Sequence, residues 1–263
     1  MADSNIGGRP ATSAAVIGCL HVAKQFGHVH ALRDATVIVP AGTVVALVGD
    51  NGAGKTTLLK ILLGINRPDS GSVIINGEPV SLDGVRAAQH RGVDAVHQDL
   101  ALAPHLSVVD NMFLGHEVVL PGVRGRIGTL SRRTMAEQAE SALAELSIQL
   151  PSLRVPVREL SGGQRQAVAV ARAVMWSRTA VLMDEPTAAL GTRQSEIVCE
   201  LMRTVAARGL GVLVVSHDLP RILKVADRVA VLWRGESVLD APAAGLTVPT
   251  LVSTMVGYRE GAA

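Results

Sequence analysis

The sequence predicts an α/β fold built on a mostly parallel β-sheet. Three unbroken apolar runs recur along the chain, at 44–48, 180–183 and 212–215. They are too short for a helix and do not alternate apolar with polar residues, which is typical of strands covered on both faces. Amphipathic stretches lie between them, and the clearest has one apolar stripe that ends at Gly209: Ile197, Val198, Leu201 and Val205. This alternation favours parallel strands joined by crossover helices.

The stretch from about residue 100 to residue 160 interrupts the alternation. Apolar residues recur there at helical spacing, and no run predicts a buried strand: Met135, Ala139, Ala142, Leu143 and Leu146. We therefore expect an α-helical subdomain at about 99–160, inserted into an α/β core of 15–98 and 161–263, so that 15–263 form a single domain. Residues 1–14 are small and polar, and we expect a flexible lead-in without the apolar region of a signal peptide.

Two short hairpin signals complete the predicted elements. Residues 74–77 end in an Asn-Gly pair, and 233–236 place Arg-Gly between Trp233 and Glu236. Such pairs favour the left-handed backbone of a two-residue hairpin turn. The first predicts an antiparallel β layer near the start of the chain, and the second predicts a small β edge near its end.

Composition excludes several classes of protein. Hydrophobic residues make up 48% of the 263, yet no stretch approaches the roughly 18 to 20 apolar residues of a membrane-spanning helix. A net charge of +2 and the lack of a basic tract argue against a nucleic-acid partner. Cys19 and Cys199 match neither a metal-binding spacing nor a disulfide framework, so we expect packed, inert thiols in a reducing cytoplasm.

The strongest motif follows the first apolar run. Eight residues match the phosphate-binding pattern GxxxxGK[ST] before a helical run that opens with Thr57: Gly49, Asp50, Asn51, Gly52, Ala53, Gly54, Lys55 and Thr56. The glycines let backbone N–H groups converge on phosphate oxygens, and the helix N-terminus adds its dipole. We expect Lys55 to reach the β- and γ-phosphates of ATP, and Thr56 to bind Mg²⁺. The alternative is a glycine-rich turn without a ligand.

Two carboxylates end the second apolar run. Asp184 and Glu185 lie where the strand leaves the core, and ionised side chains at such an edge are costly without partners. We expect Asp184 to bind Mg²⁺ opposite Thr56, and Glu185 to act as the base that polarises the attacking water. The alternative is an acidic pair that caps the next helix. The phosphate loop upstream favours the catalytic interpretation.

A second glycine-rich element precedes a strongly helical run: Leu160, Ser161, Gly162, Gly163 and Gln164. Ser161 is well placed as an N-cap, and the two glycines permit an anion to approach backbone N–H groups, which a plain capped helix would not need. This pentapeptide, LSGGQ, is the signature of ABC transporter ATP-binding subunits, which the chain resembles. The resemblance implies the ABC ATPase fold, a P-loop NTPase core with a mostly parallel sheet, an antiparallel β layer and an inserted α-helical subdomain.

The resemblance implies further site residues. Gln98, after a predicted strand at 93–96, falls at the family's Gln-containing loop, where it would contact Mg²⁺ and the attacking water and sense the permease. His217 falls at the switch histidine that contacts the γ-phosphate. Phe26 falls at the aromatic position that stacks on adenine. Gly191 stands where the family usually has Asp, so one carboxylate that helps couple the two sites of the family's dimer is missing.

The resemblance also implies partners. In the family the signature loop of one subunit completes the ATP site of another, so we expect a homodimer enclosing two ATP molecules at the cytoplasmic face of the cell membrane. An integral-membrane permease would dock in a groove formed by the helical segment around 100–109.

The residues within and around the motifs favour one subgroup of the family. Residues 48–54, 98–104 and 111–115 are similar to those of monosaccharide importers of the ribose, xylose and fructose kind, which also depend on an extracytoplasmic solute-binding protein. We therefore expect ATP hydrolysis that drives transport of a monosaccharide. The alternatives are a non-transport ABC ATPase that acts on DNA or ribosomes, and a regulatory module that ATP switches without turnover.

Overall fold

The computed structural model describes residues 15–122, 128–188 and 190–257. The expected lead-in, 1–14, lies outside these residues. Within the described residues, ten strands form one mixed sheet: β1 (Ala15–Phe26), β2 (Val29–Pro40), β3 (Val44–Gly49), β4 (Ser70–Ile75), β5 (Glu78–Val80), β6 (Val93–Val96), β7 (Ala180–Asp184), β8 (Gly211–Val215), β9 (Arg228–Trp233) and β10 (Glu236–Pro242). Their order across the sheet is β5-β4-β1-β2-β10-β9-β3-β8-β7-β6.

The parallel part of the sheet consists of β9, β3, β8, β7 and β6, paired in that order. The three predicted apolar runs are β3, β7 and β8. In β3, Val44, Ala46 and Val48 join the hydrophobic core under one face, whereas Val45 and Leu47 join the core under the other. Burial on both faces explains why these strands are continuous apolar runs.

The antiparallel layer consists of β5, β4, β1 and β2, and it continues the same sheet. It joins the parallel part through β10, which pairs with β2 at Asp34 and Glu236 and with β9 on its other side. The prediction of a small β edge near the chain end is wrong, because β10 pairs with β9 on one side and with β2 on the other. The local turn signal predicts the hairpin, but this long-range pairing places the hairpin inside the sheet.

Both predicted hairpin turns are present. Asn76 and Gly77 have φ angles of 52° and 79°, and Arg234 and Gly235 have φ angles of 47° and 84°. Two successive left-handed residues match the twist of the flanking antiparallel strands. Gly235 has a second reason to be glycine, because a Cβ there would lie 2.9 Å from the Cα of Leu32.

Eight α-helices lie in the described part of the chain: α1 (Lys55–Leu62), α2 (Val85–His90), α3 (Val108–Met112), α4 (Arg132–Glu145), α5 (Gly162–Trp176), α6 (Thr192–Ala207), α7 (Leu219–Val225) and α8 (Val248–Met255). Within the same residues, no helix has the length and apolar character needed to cross a membrane. The stripe predicted in the inserted segment is the buried face of α4, formed by Met135, Ala139 and Leu143.

Two helical predictions are wrong in detail. Ile197, predicted to share the apolar stripe of α6, is 50% exposed, because it lies 100° around the helix from Val198 and farther from the centre of the stripe. The segment 100–107 is not helical. Leu100 and Ala101 both have left-handed backbones, and α3 begins only after Ser107, whose side chain caps it.

Candidate functional site

The phosphate loop connects β3 to α1. Lys55 opens α1 and is almost completely buried, and its Nζ donates to the carbonyl oxygens of Gly49 (2.7 Å) and Asp50 (2.9 Å). The first hydrogen bond within α1 runs from the Leu58 N–H to the Gly54 oxygen. The N–H groups that precede Leu58 in the helix therefore belong to its N-terminal end, where they can meet an anion.

Two glycines of the loop are required for different reasons. Gly54 has φ of 107°, and a Cβ there would lie 2.6 Å from the carbonyl oxygen of Ala31 in β2. Gly52 has φ of 79° and faces open space, so its requirement is for the left-handed backbone alone. A residue with a Cβ would therefore be strained at either position.

The two carboxylates lie at the carboxyl end of β7, next to β8. Glu185 has a left-handed backbone with φ of 49°, and its N–H donates to the Val215 oxygen at 3.0 Å. Its Oε1 lies 2.6 Å from Nε2 of His217, which follows β8. Because α6 begins at Thr192 with Gly191 as its N-cap residue, neither carboxylate caps that helix.

Electrostatic interactions bring the lysine, the carboxylates and two histidines into one cluster. Burial lowers the pKa of Lys55, and the negative charges of Glu185 and Asp184 oppose that shift. Burial raises the pKa of Asp184, and Glu185 raises it further, whereas His97, Lys55 and His217 act in the opposite direction. Opposed shifts of this kind are typical of groups that share a functional site.

Gln98 lies at the same edge of the sheet. β6 pairs in parallel with β7, with Val96 opposite Met183, so Gln98 follows β6 where Asp184 ends β7. A turn holds Gln98, because the Leu100 N–H donates to the His97 oxygen at 2.9 Å. The Gln98 side chain is exposed.

Phe26 ends β1 beside the phosphate loop. Its ring is 46% exposed and carries the Lys24 ammonium 5.5 Å from its centroid. β2 begins at Val29, opposite Phe26, and contacts Gly54 of the loop through Ala31. The hairpin therefore brings an exposed aromatic face to the same end of the molecule as the loop.

The LSGGQ element forms the N-terminus of α5. Ser161 accepts a hydrogen bond from the Gln164 N–H at 3.3 Å, and the Gln164 Oε1 accepts one from the Ser161 N–H at 2.9 Å, which is a complete capping box. A Cβ on Gly163 would lie 3.0 Å from the Gln194 side chain, whereas one on Gly162 would lie 3.4 Å from Leu190 and 3.9 Å from Oε1 of Gln194, which are ordinary contact distances. Within the described residues, no hydrogen bond or ion pair joins 161–164 to the phosphate loop.

The sequence model of the family described as "ABC transporter" matches residues 32–188, which include the phosphate loop, the LSGGQ element and both carboxylates. The chain belongs to the ABC transporter ATPase family. Proteins of this family bind and hydrolyse ATP, and the activity of the chain is that of an ABC ATPase.

Curated relatives match this ABC ATPase along most of its length. The fructose import ATP-binding protein FrcA of Rhizobium meliloti is 40% identical over 90% of this chain and 92% of its own. The xylose/arabinose import ATP-binding protein XylG of Sulfolobus acidocaldarius is 41% identical over 91% and 93%. A solved dimeric ATP-binding cassette in a post-hydrolysis state, bound to ADP and Pi, aligns with TM-score 0.70 and 25% identity, covering 88% of this chain and 100% of that one. These matches confirm the predicted fold.

Sequence reasoning missed His97 in the ABC ATPase. It directly precedes Gln98, and it opposes the rise in the pKa of Asp184 that burial and Glu185 cause. The available signal was a polar residue at the first position after a buried strand, at the edge where the other site residues gather.

Proposed function

We propose that this ABC ATPase is the ATP-binding subunit of a monosaccharide importer and works at the cytoplasmic face of the cell membrane. The observation that carries the proposal is the match, over nine tenths of the chain, to relatives named as fructose and xylose/arabinose import proteins. A permease in the membrane and an extracytoplasmic solute-binding protein are the partners that such a role requires. The helical subdomain, about 99–160, would carry the contact with the permease.

Residues of one subunit bind the triphosphate and activate water. Lys55 and the N–H groups of the loop, from Gly49 to Thr57 and including Asn51 and Ala53, bind the phosphates. Glu185 accepts the proton of the attacking water, and His217, 2.6 Å from the carboxylate, orients it and contacts the γ-phosphate. Phe26 stacks on the adenine through its exposed face.

Three oxygen donors at this edge form a set that suits Mg²⁺: the Thr56 hydroxyl, the Gln98 amide and the Asp184 carboxylate. The raised pKa of Asp184, which burial and the neighbouring Glu185 charge cause, is the shift that a bound cation would reverse. When bound, Mg²⁺ would neutralise charge on the β- and γ-phosphates. Each donor lies on a different element: Thr56 on α1, Gln98 on the loop after β6, and Asp184 on β7.

The LSGGQ element of one copy completes the site of a second copy. Ser161, Gly162, Gly163 and Gln164 lie at a helix N-terminus that makes no polar contact with the phosphate loop of the same chain among the residues described. An open Gly162 backbone at such a terminus suits the γ-phosphate of a nucleotide held elsewhere. We therefore propose a homodimer with two composite sites.

Uptake of radiolabelled fructose, xylose and ribose tests the proposal, in cells that lack the chromosomal gene and carry either the parent or the Glu185→Gln protein. We expect uptake of at least one of these sugars with the parent protein and none with the variant. Equal uptake in both strains, with both proteins present at equal amounts, would refute ATP-driven sugar import. The permease expressed alone is the control for passive entry.

A further inference from the structure

Arg172 makes an unusual contact with the loop that carries Gln98. It lies in α5, and its guanidinium donates to two consecutive backbone oxygens, from Nη2 to Leu100 (3.0 Å) and from Nη1 to Ala101 (2.7 Å). A planar guanidinium can satisfy two acceptors at once in a fixed geometry, which an ammonium group cannot do. The side chain thus fixes the orientation of two successive peptide groups.

The two residues that Arg172 holds have a strained backbone. Leu100 and Ala101 have φ angles of 62° and 46°, although neither is glycine. Residues with a Cβ adopt this conformation at a cost in free energy, and two in succession persist only where surrounding contacts impose them. Arg172 provides two such contacts.

The strained pair is directly connected to Gln98. Leu100 closes the turn that begins at His97, and the Ala101 N–H also contacts Oδ1 of Asp99, at 3.3 Å. β6 therefore holds the turn at its start, and Arg172 holds it at its end, with Gln98 between the two anchors. Loss of either anchor would free the backbone that presents Gln98.

Burial supports a defined role for this guanidinium. Burial lowers the pKa of Arg172, and the charge of Asp94 in β6 opposes that shift. The Asp94 carboxyl is itself partly buried and accepts a hydrogen bond from the Ala95 N–H at 2.8 Å. The hydrogen bond to the Leu100 oxygen is partly buried, the one to the Ala101 oxygen is exposed, and together they join α5 to the loop that follows β6.

We propose that Arg172 is a positioning residue for Gln98, which holds the strained pair Leu100–Ala101 and so ties the Gln98 loop to the helix that begins with the LSGGQ element. The proposal rests on the role assigned to Gln98 under the proposed function. A movement of α5 would pass to Gln98 through this guanidinium. The contact would thus couple the Gln98 loop, which faces the permease, to the LSGGQ element, which contributes to the ATP site of a second subunit.

The test is steady-state ATP hydrolysis by Arg172→Met, which keeps the apolar stem and removes the donors. We expect kcat to fall by about tenfold, as for other residues that orient a ligand-bearing group, with KM for ATP changed by less than about twofold. In a Gln98→Ala background the same change should lower kcat by less than about twofold, because the group that Arg172 positions is already absent. An equal fall with and without Gln98 would overturn the proposal.

A rescue and a matched control separate positioning from folding. Ala101→Gly removes the strain at one of the two left-handed residues, so in the Arg172→Met protein it should restore kcat by about threefold or more. Failure of this rescue would also count against the proposal. Arg203→Met is the control, because Arg203 donates to the backbone oxygen of Lys224 away from the site. The kcat of Arg203→Met should stay within about twofold of the parent. A fall as large as that of Arg172→Met would mean that losing such a contact lowers kcat only by destabilising the fold.

The same assay separates the two proposals. Glu185→Gln must abolish hydrolysis if the proposed function is correct, whatever Arg172 does. If Glu185→Gln is inactive while Arg172→Met matches the parent, only the positioning role fails. Arg172→Lys, which can reach one carbonyl at a time, should give an intermediate kcat and replaces Arg172→Met if that protein does not fold. A kcat for Arg172→Lys equal to that of the parent would contradict a two-point contact.

Discussion

Glu185 is held in a left-handed backbone at the point where β7 leaves the core. The bond from its N–H to Val215 imposes this conformation, and the result is a carboxylate 2.6 Å from the His217 imidazole. Strain that neighbouring strands impose at one charged residue is typical of a functional site rather than of a packing position. The same carboxylate raises the pKa of Asp184, after the larger effect of burial.

Glu185→Gln tests the chemistry at this residue. The amide keeps the size of the side chain but cannot accept a proton, so kcat for ATP should fall by at least about 100-fold while nucleotide affinity stays within about threefold. Phosphate release and the binding of a fluorescent ATP analogue measure the two quantities. Glu200→Gln, an exposed change in α6, is the control. Hydrolysis by Glu185→Gln at the rate of the Glu200→Gln protein would exclude Glu185 as the base.

The burial of a single residue, Cys19, can also be tested. The thiol of Cys19 is fully buried, and burial raises its pKa to about 12. In the unfolded chain its pKa is about 8.5, so between the two values the unfolded chain releases a proton that the folded chain keeps. The free energy of unfolding should therefore fall as pH rises through this window.

The Cys19→Ala variant isolates this effect. Between about pH 8 and about pH 10, the parent should lose about 1 to 2 kcal/mol more unfolding free energy than the variant. Urea unfolding at the two pH values measures the difference. Cys199 is also buried but is present in both proteins, so its contribution cancels. Equal losses in parent and variant would show that the Cys19 thiol ionises as easily in the folded protein as in the unfolded one.

At the scale of elements, α6 begins without a side-chain cap. Gly191 is its N-cap residue, with φ of −68° and ψ of 164°, the conformation in which Asp and Ser normally cap a helix. A Cβ at Gly191 would meet open space, so a side chain fits there. The departure from the family's usual Asp is therefore not imposed by packing.

Gly191→Asp should stabilise the protein. The carboxylate can accept N–H groups of the first turn, and the loss of glycine reduces the entropy of the unfolded chain, so we expect a gain of about 0.5 to 1 kcal/mol. Gly191→Ala gives the entropy effect without the cap and should be less stable than Gly191→Asp by about 1 kcal/mol. Chemical denaturation of the three proteins measures both differences. Equal stability of the Asp and Ala variants would mean that no cap forms.

Local patterns predicted the elements that are determined locally. The strands β3 and β7 match their apolar runs to within one residue, because both faces are buried, and the predicted turn at Asn76-Gly77 follows from two residues. The position of β10 inside the sheet could not be predicted, because it depends on pairing with β2 about 200 residues away. The left-handed backbone of Leu100 and Ala101 could not be predicted either, because the guanidinium that contacts their oxygens belongs to Arg172, 71 to 72 residues farther along the chain.

The site shows the same division. Lys55 and Glu185 could be named because their spacing to strand ends follows from the order of the chain, whereas Gln98 could be named only through the resemblance to the family. His97 could have been found from its position directly after a buried strand, whereas the contact of Arg172 could not, since its guanidinium comes from α5, 71 to 72 residues farther along the chain. The assignment of each motif residue to its role remains a prediction.

At the scale of the whole molecule, each chain carries one phosphate loop and one LSGGQ element, on separate elements. Gly54 of the phosphate loop is the N-cap residue of α1, and Ser161 of the LSGGQ element is the N-cap residue of α5. Among the described residues this helix N-terminus has no polar contact with the phosphate loop of its own chain, and we propose that it supplies half of a composite anion site. Two copies joined head to tail would bring the halves together.

Sedimentation velocity of the Glu185→Gln protein with ATP and Mg²⁺ tests this arrangement most directly. The account predicts a dimer at saturating ATP, a monomer without nucleotide, and a monomer with ATP when Gly162→Asp is added, because a carboxylate at that N-terminus repels the phosphate. A Glu185→Gln protein that binds ATP yet sediments as a monomer, or a dimer that Gly162→Asp leaves intact, would contradict it.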